Sequence, residues 1–96
     1  MILTLLSALA EPTRLEAMRL LQDGKEHCVC ELMSKLGATQ SRMSRHMQVL
    51  KRAGLVTDRR DAQWVRYRLN PDIDPALAAV IKAALAAPHA PERQAA

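Results

Sequence analysis

The chain has 96 residues, 49% of them apolar, which allows one domain with a small core. With no Phe, one Trp and one Tyr, that core must be aliphatic, and so thin a core is often completed by a second subunit. Lys and Arg outnumber Asp and Glu by 14 to 10, which favours an acidic partner such as nucleic acid, while two cysteines are too few for a disulfide framework.

The first stretch, MILTLLSALAEP, carries Leu3, Leu6 and Leu9 among further apolar neighbours. It predicts a short helix over residues 2–10, apolar on most sides, that needs a partner surface. Ala8-Leu9-Ala10 resembles a signal-peptidase site, but the stretch has no basic region before it and its apolar run is short. The expected location is the cytoplasm, which also suits two unpaired cysteines. No run reaches the ~18–20 apolar residues of a membrane span, so no membrane partner is expected.

Pro12 suits the first turn of a second helix running to about Gln22, with Leu15, Met18 and Leu20 or Leu21 facing inward and Gly24 ending it. A third helix is predicted from near Cys28 to Gly37, with Leu32, Met33 and Leu36 on its apolar side. Thr39 is a good N-cap for a fourth, from Gln40 to about Ala53. Only a short Gly-containing turn separates the third and fourth, which is the helix-turn-helix format.

Downstream, Val65, Tyr67 and Leu69 alternate with Trp64, Arg66 and Arg68, and Leu55–Arg59 is β-capable too. Two strands about an Asp61-Ala62 turn make a β-hairpin, or wing. Pro71 and Pro75 bracket a break before a last helix over about 74–87, carrying Leu77, Val80, Ile81 and Leu85. The tail, residues 88–96, is Pro- and Ala-rich and is expected to be disordered. The prediction is a mainly α winged helix-turn-helix of about five helices and a two-stranded wing, over residues 1–87.

On the fourth helix, at ~100° per residue, Met43, Met47 and Leu50 share one face. Ser41, Arg45, Gln48 and Arg52 fall opposite, flanked by Arg42 and Ser44. Such side chains reach base edges and phosphates: Arg pairs with guanine, Gln with adenine, Ser with either. The N-terminal part of the second helix of this motif enters the major groove, which puts Gln40, Ser41, Arg42, Ser44 and Arg45 nearest the bases. Thr39 and the helix N-terminus can hold a phosphate. Arg59, Arg60, Arg66 and Arg68 cluster on the wing, where they would lie over the DNA backbone or minor groove. His46, at the edge of the apolar face, reads as a packing or phosphate residue rather than a metal ligand.

The run EHCVCELMSKLGATQSRMSRHMQVLKRAGLVTDRRDAQWVRYRLNP, with LAEPTRLEAMRLL before it, resembles the arsenic-repressor (ArsR/SmtB) family of bacterial winged-helix repressors. The resemblance covers about residues 3–85. CVCEL is similar to the arsenite-sensing branch, where a Cys-Val-Cys motif opens the helix before the recognition helix. The resemblance implies a homodimer built by the first and last helices, through Leu3, Leu6, Leu9, Leu77, Val80, Ile81 and Leu85. It implies a partly palindromic double-stranded operator that the apo protein represses and an inducer releases. That inducer would be trivalent arsenic or antimony at Cys28 and Cys30, with no obligatory cofactor. The branch commonly has a third cysteine where this chain has Met33, and Gly at the wing turn where it has Ala62.

Two residues apart on a helix means about 200° apart, so Cys28 and Cys30 are expected to face opposite sides. One soft ion would then hold both only by unwinding that turn, which would tilt the reading helix. A helix N-terminus favours thiolate, the form that binds soft ions or is oxidised. His27 is a further ligand candidate for Zn or Cd, and a trivalent organoarsenical would need only the two thiols. Thiol oxidation or another soft metal on the same scaffold is the competing signal. The alternatives are two cysteines that merely pack, and a winged helix that binds protein rather than DNA. No phosphate-cradling Gly-rich loop, paired acids or Cys–His–Asn set points to an enzyme.

Overall fold

The structure, a computed structural model, describes residues 1–88. The helices are α1 (Ile2–Leu9), α2 (Pro12–Leu20), α3 (Val29–Leu36), α4 (Gln40–Arg52) and α5 (Pro75–Ala86). The strands are β1 (His27–Cys28), β2 (Val56–Asp61) and β3 (Trp64–Leu69). Except for Pro88, the tail predicted to be disordered lies outside the described residues.

Local chemistry sets the element ends. Pro12 opens α2, where its missing N–H costs nothing, and the Glu11 carboxylate accepts the Arg14 amide at 2.8 Å. After Leu20 the chain tightens into a 3₁₀ turn, Leu21–Asp23, so α2 proper ends two residues before the predicted Gln22. Gly37, at φ 67, closes α3 in the left-handed conformation and lets the chain reverse into α4 within three residues. Thr39 caps α4 as predicted: its Oγ1 accepts the Arg42 amide at 3.3 Å. Asp74 caps α5 through the Ala76 amide.

The sheet has three strands in the order β1-β3-β2, all antiparallel, where the sequence predicted two. The extra strand is only two residues long, too short for any periodicity to announce. It pairs His27 with Tyr67 and Cys28 with Arg66. The turn falls at Ala62-Gln63, one residue later than predicted, with Ala62 at φ 57.

Met18, Leu21, Leu32, Met43, Met47 and Leu50 form the centre of the core, each fully buried. Leu5, Ala8 and Ala17, small or central positions the helical stripes did not single out, join them. The seven residues assigned to a dimer surface divide. Leu3 and Leu6 are 77% and 44% exposed, and Leu77 and Val80 are half-buried. Leu9, Ile81 and Leu85 instead pack into the chain's own core, because α1 lies against α2 and α4 and α5 folds back against α2. None of the helices of the described residues is long and apolar enough to cross a membrane.

Candidate functional site

Two features meet around α3 and α4. The first is the outer surface of α4. Burying Met43, Met47 and Leu50 leaves Gln40, Ser41, Arg42 and Arg45 exposed over the first two turns, with Ser44 half-buried between them. Gln48 is half-buried and hydrogen-bonded to the Tyr67 side chain, so it is tied to the sheet. Burial pushes the Tyr67 hydroxyl above its ordinary value, with Asp58 adding to that and Gln48 partly offsetting it.

The wing arginines differ among themselves. Arg59 is gripped by Glu26 through two bonds, Nε to Oε2 at 2.9 Å and Nη2 to Oε1 at 2.6 Å. This bidentate pair holds the Glu26 carboxyl below the usual carboxylate range. Arg66 bonds Asp61 at 2.8 Å, and Arg60 is exposed. Lys51 on α4 bonds Asp58 on β2 at 3.1 Å, fastening the reading helix to the wing. Glu26 carried no sequence signal as a wing partner, since it lies 33 residues from Arg59.

The second feature is the cysteine pair, and here the structure overturns the expected geometry. Cys28 is not a helical residue: it ends β1 and caps α3 at φ −64, ψ 142. Its Sγ accepts the Cys30 amide at 3.1 Å. The extended backbone at Cys28 removes the helical 200° separation, and the two sulfurs lie on the same side. They are joined as a disulfide across a Cα–Cα distance of 5.1 Å. Cys28 is buried and Cys30 is exposed on the first turn of α3. Unwinding α3 is therefore not needed to bring the sulfurs together.

His27 is committed elsewhere. Its Nε2 bonds Asp23 at 2.9 Å and its Nδ1 bonds Glu31 at 2.9 Å, while Lys35 bonds the same Glu31 oxygen at 3.0 Å. Burial alone would lower the His27 pKa, but the carboxylates on either side raise it above its ordinary value. Both ring nitrogens of His27, the further ligand candidate, are thus engaged by carboxylates. Among the described residues, no group of three or more His, Cys, Asp and Glu is arranged to hold a metal ion. Met33 is partly buried and packs against the core.

A polar cluster that the sequence did not reveal ties these parts together. Arg14 Nε donates to the Ala8 carbonyl at 2.6 Å, and Arg14 Nη1 donates to His46 Nδ1 at 3.2 Å. Glu11 lies 3.8 Å from the same nitrogen. Burial lowers the His46 pKa, with Arg14, Arg42 and Arg45 adding to the effect and Glu11 opposing it. His46, expected to be a packing or phosphate residue, is half-buried here.

A short helix, a three-residue turn, a second helix with a polar outer face and an antiparallel hairpin behind it define a winged helix-turn-helix. The family model of the bacterial regulatory proteins of the arsR family matches residues 11–58, half of the chain. The chain belongs to that family. It is 46% identical over 77 residues to the arsenical resistance operon repressor of Escherichia coli (strain K12). The match takes in 80% of this chain and 65% of that repressor, so the chain spans just under two thirds of that relative's length. Among solved structures, HlyU from Vibrio cholerae N16961 superposes with a TM-score of 0.72 and 38% identity, covering 84% of both chains. A winged helix-turn-helix DNA-binding domain from Mycobacterium bovis, described as homodimeric, gives a TM-score of 0.72 at 26% identity. It covers 86% of this chain and 73% of that one. The relatives are regulators, not enzymes.

Proposed function

We propose that the protein is a dimeric DNA-binding transcriptional repressor of the cytoplasm, released from its operator by trivalent arsenic or antimony at Cys28 and Cys30. Residues 1–87 form its DNA-binding and dimerisation unit. The observation that carries the reading is the placement of two sulfurs side by side at the cap of α3, immediately before the reading helix. The E. coli relative's role in arsenical resistance supports the choice of inducer.

Gln40, Ser41, Arg42, Ser44 and Arg45 read bases, and Thr39, Arg60 and Arg59 hold backbone, Arg59 after leaving Glu26. Gln48 contributes through its tie to Tyr67 rather than at a base edge. The exposed Leu3 and Leu6, with Leu77 and Val80, meet a second copy, as the homodimeric M. bovis neighbour suggests. Two copies would address a partly palindromic site.

Induction needs a different mechanism from helix unwinding. In the reduced protein a thiophilic ion bridges both thiolates without moving either backbone far. It withdraws the Cys28 sulfur from the Cys30 amide that it caps. The first turn of α3 loses that cap and shifts against α4. For a hundredfold release the ion must favour the shifted form by ~2.7 kcal/mol. Two protein thiolates suffice for a trivalent organoarsenical, which suits a site whose third family position is Met33.

The disulfide favours a second reading, in which oxidation of the pair is the signal. One titration separates the two. Fluorescence anisotropy on a duplex selected from a randomised library follows release by As(III), Sb(III), an organoarsenical, Cd(II), Zn(II) and peroxide. Release by As(III) from reduced protein, abolished in Cys28→Ser and Cys30→Ser, is the expected result. Release by peroxide alone would leave only the oxidation reading. No selected duplex at all would leave the protein-interaction reading.

A further inference from the structure

A small cavity beside the start of α4 is lined by Thr13, Gly37, Ala38, Thr39, Arg42 and His46. Its volume is about 60 Å³, the scale of one oxyanion or two waters at ~30 Å³ each. Thr13 comes from the first turn of α2, outside the reading unit. It is only 6% exposed and is the one buried polar residue among the described residues. Its hydroxyl makes no hydrogen bond with the described residues. That hydroxyl is not sealed inside the protein, so what opens in front of it matters.

The lining supplies donors and no carboxylate. Thr39 Oγ1 accepts the Arg42 amide, which leaves its own proton free to donate. Arg14 can only donate, so it fixes His46 Nδ1 as an acceptor and leaves the ring proton on Nε2. Glu11 sits on the Nδ1 side of His46, 3.8 Å away, and is not among the lining residues. The 13-residue α4 presents the positive end of its dipole alongside. Gln40 and Ser41 emerge from the same turn toward the proposed base edges.

We propose that this cavity seats one non-bridging phosphate oxygen of the DNA backbone, held by the hydroxyls of Thr13 and Thr39 with the His46 ring beside them. The inference rests on the DNA-binding reading above and adds α2 to the contact surface. Such a seat sets the depth and register of α4 in the groove and carries no sequence information itself.

The test is a cycle between protein and backbone. Single methylphosphonate linkages are placed in turn along one half-site of a duplex that the wild-type protein selects from a randomised library. For the wild type, one linkage should cost about tenfold in affinity through loss of a charge-assisted bond. Thr13→Val should lose about tenfold on the unmodified duplex and nothing further at that linkage. Thr13→Ser should behave as the wild type, and Thr13→Ala replaces the valine variant in the cycle if the latter does not fold. Equal linkage costs in wild type and variant would overturn the inference while leaving DNA binding intact. Failure of the wild type to select any duplex would overturn both. Inorganic phosphate, compared with chloride at equal ionic strength, separates a free anion from DNA. Movement of the Thr13 and Thr39 amide resonances in phosphate, without coupling to any linkage, would overturn the DNA form of the seat.

Discussion

Arg14 joins His46 on the reading helix to the carbonyl of Ala8 at the end of α1. One guanidinium thus spans the helix proposed to dimerise and the helix proposed to read DNA. Removing it leaves the Ala8 carbonyl and the His46 ring without that donor in a half-buried setting. Arg14→Ala should destabilise the protein by ~1–3 kcal/mol, read by urea unfolding. Adding His46→Ala to Arg14→Ala should cost much less than the two single losses summed, because the pair acts as one unit. Full additivity would show that the contact is not energetically real.

The same contact gives a pH dependence with a definite sign. Arg14 requires an unprotonated Nδ1, and burial holds the His46 pKa below its ordinary 6.5, helped by Arg14, Arg42 and Arg45 against Glu11. The unfolded chain therefore binds that proton more readily than the folded one. The stabilisation is complete above pH 6.5 and is lost as the pH falls through the lower folded value. His46→Gln should flatten this acid-side loss. An unchanged profile between pH 5 and 7, on the scale where histidine titrates, would count against it.

Glu26 restrains Arg59 at the sheet surface. Glu26→Gln should leave stability nearly unchanged, since exposed ion pairs contribute little. It should nevertheless free a cation for DNA. The slope of log affinity against log salt should steepen by about one counterion, equally on selected and random duplexes. An unaltered slope would remove Arg59 from the phosphate contacts.

Ala62 stands at φ 57, where a Cβ is strained and glycine is not. Ala62→Gly should raise stability by ~1 kcal/mol, seen as a higher melting temperature with the hairpin register kept. A neutral or destabilising result would mean that the turn tolerates the side chain without strain.

Much of this architecture is legible in the residues. A Thr cap, a three-residue turn with Gly and an apolar stripe of Met43, Met47 and Leu50 define α4 to within a residue. Alternation from Trp64 to Leu69 defines β3. What was not legible depends on contacts distant in sequence. Two residues cannot display a period, so β1 was invisible, and with it the extended backbone that turns Cys28 toward Cys30. An apolar stripe also does not say whose core it enters. Leu9, Ile81 and Leu85 satisfy the chain itself, while Ile2, Leu3 and Leu6 are left exposed on α1. Arg14 carries no sign of its contact with the fourth helix, because His46 lies 32 residues away.

The three-residue turn at Gly37 has a mechanical consequence. At 1.5 Å per residue the eight-residue α3 is about 12 Å long and the thirteen-residue α4 about 20 Å. Displacing the capped end of α3 by about 1 Å rotates it by about 5°. If the short turn passes that rotation on, the far end of α4 sweeps nearly 2 Å, beyond the tolerance of a hydrogen bond. The pair of helices would work as a lever with unequal arms, and the sulfurs sit on its short arm.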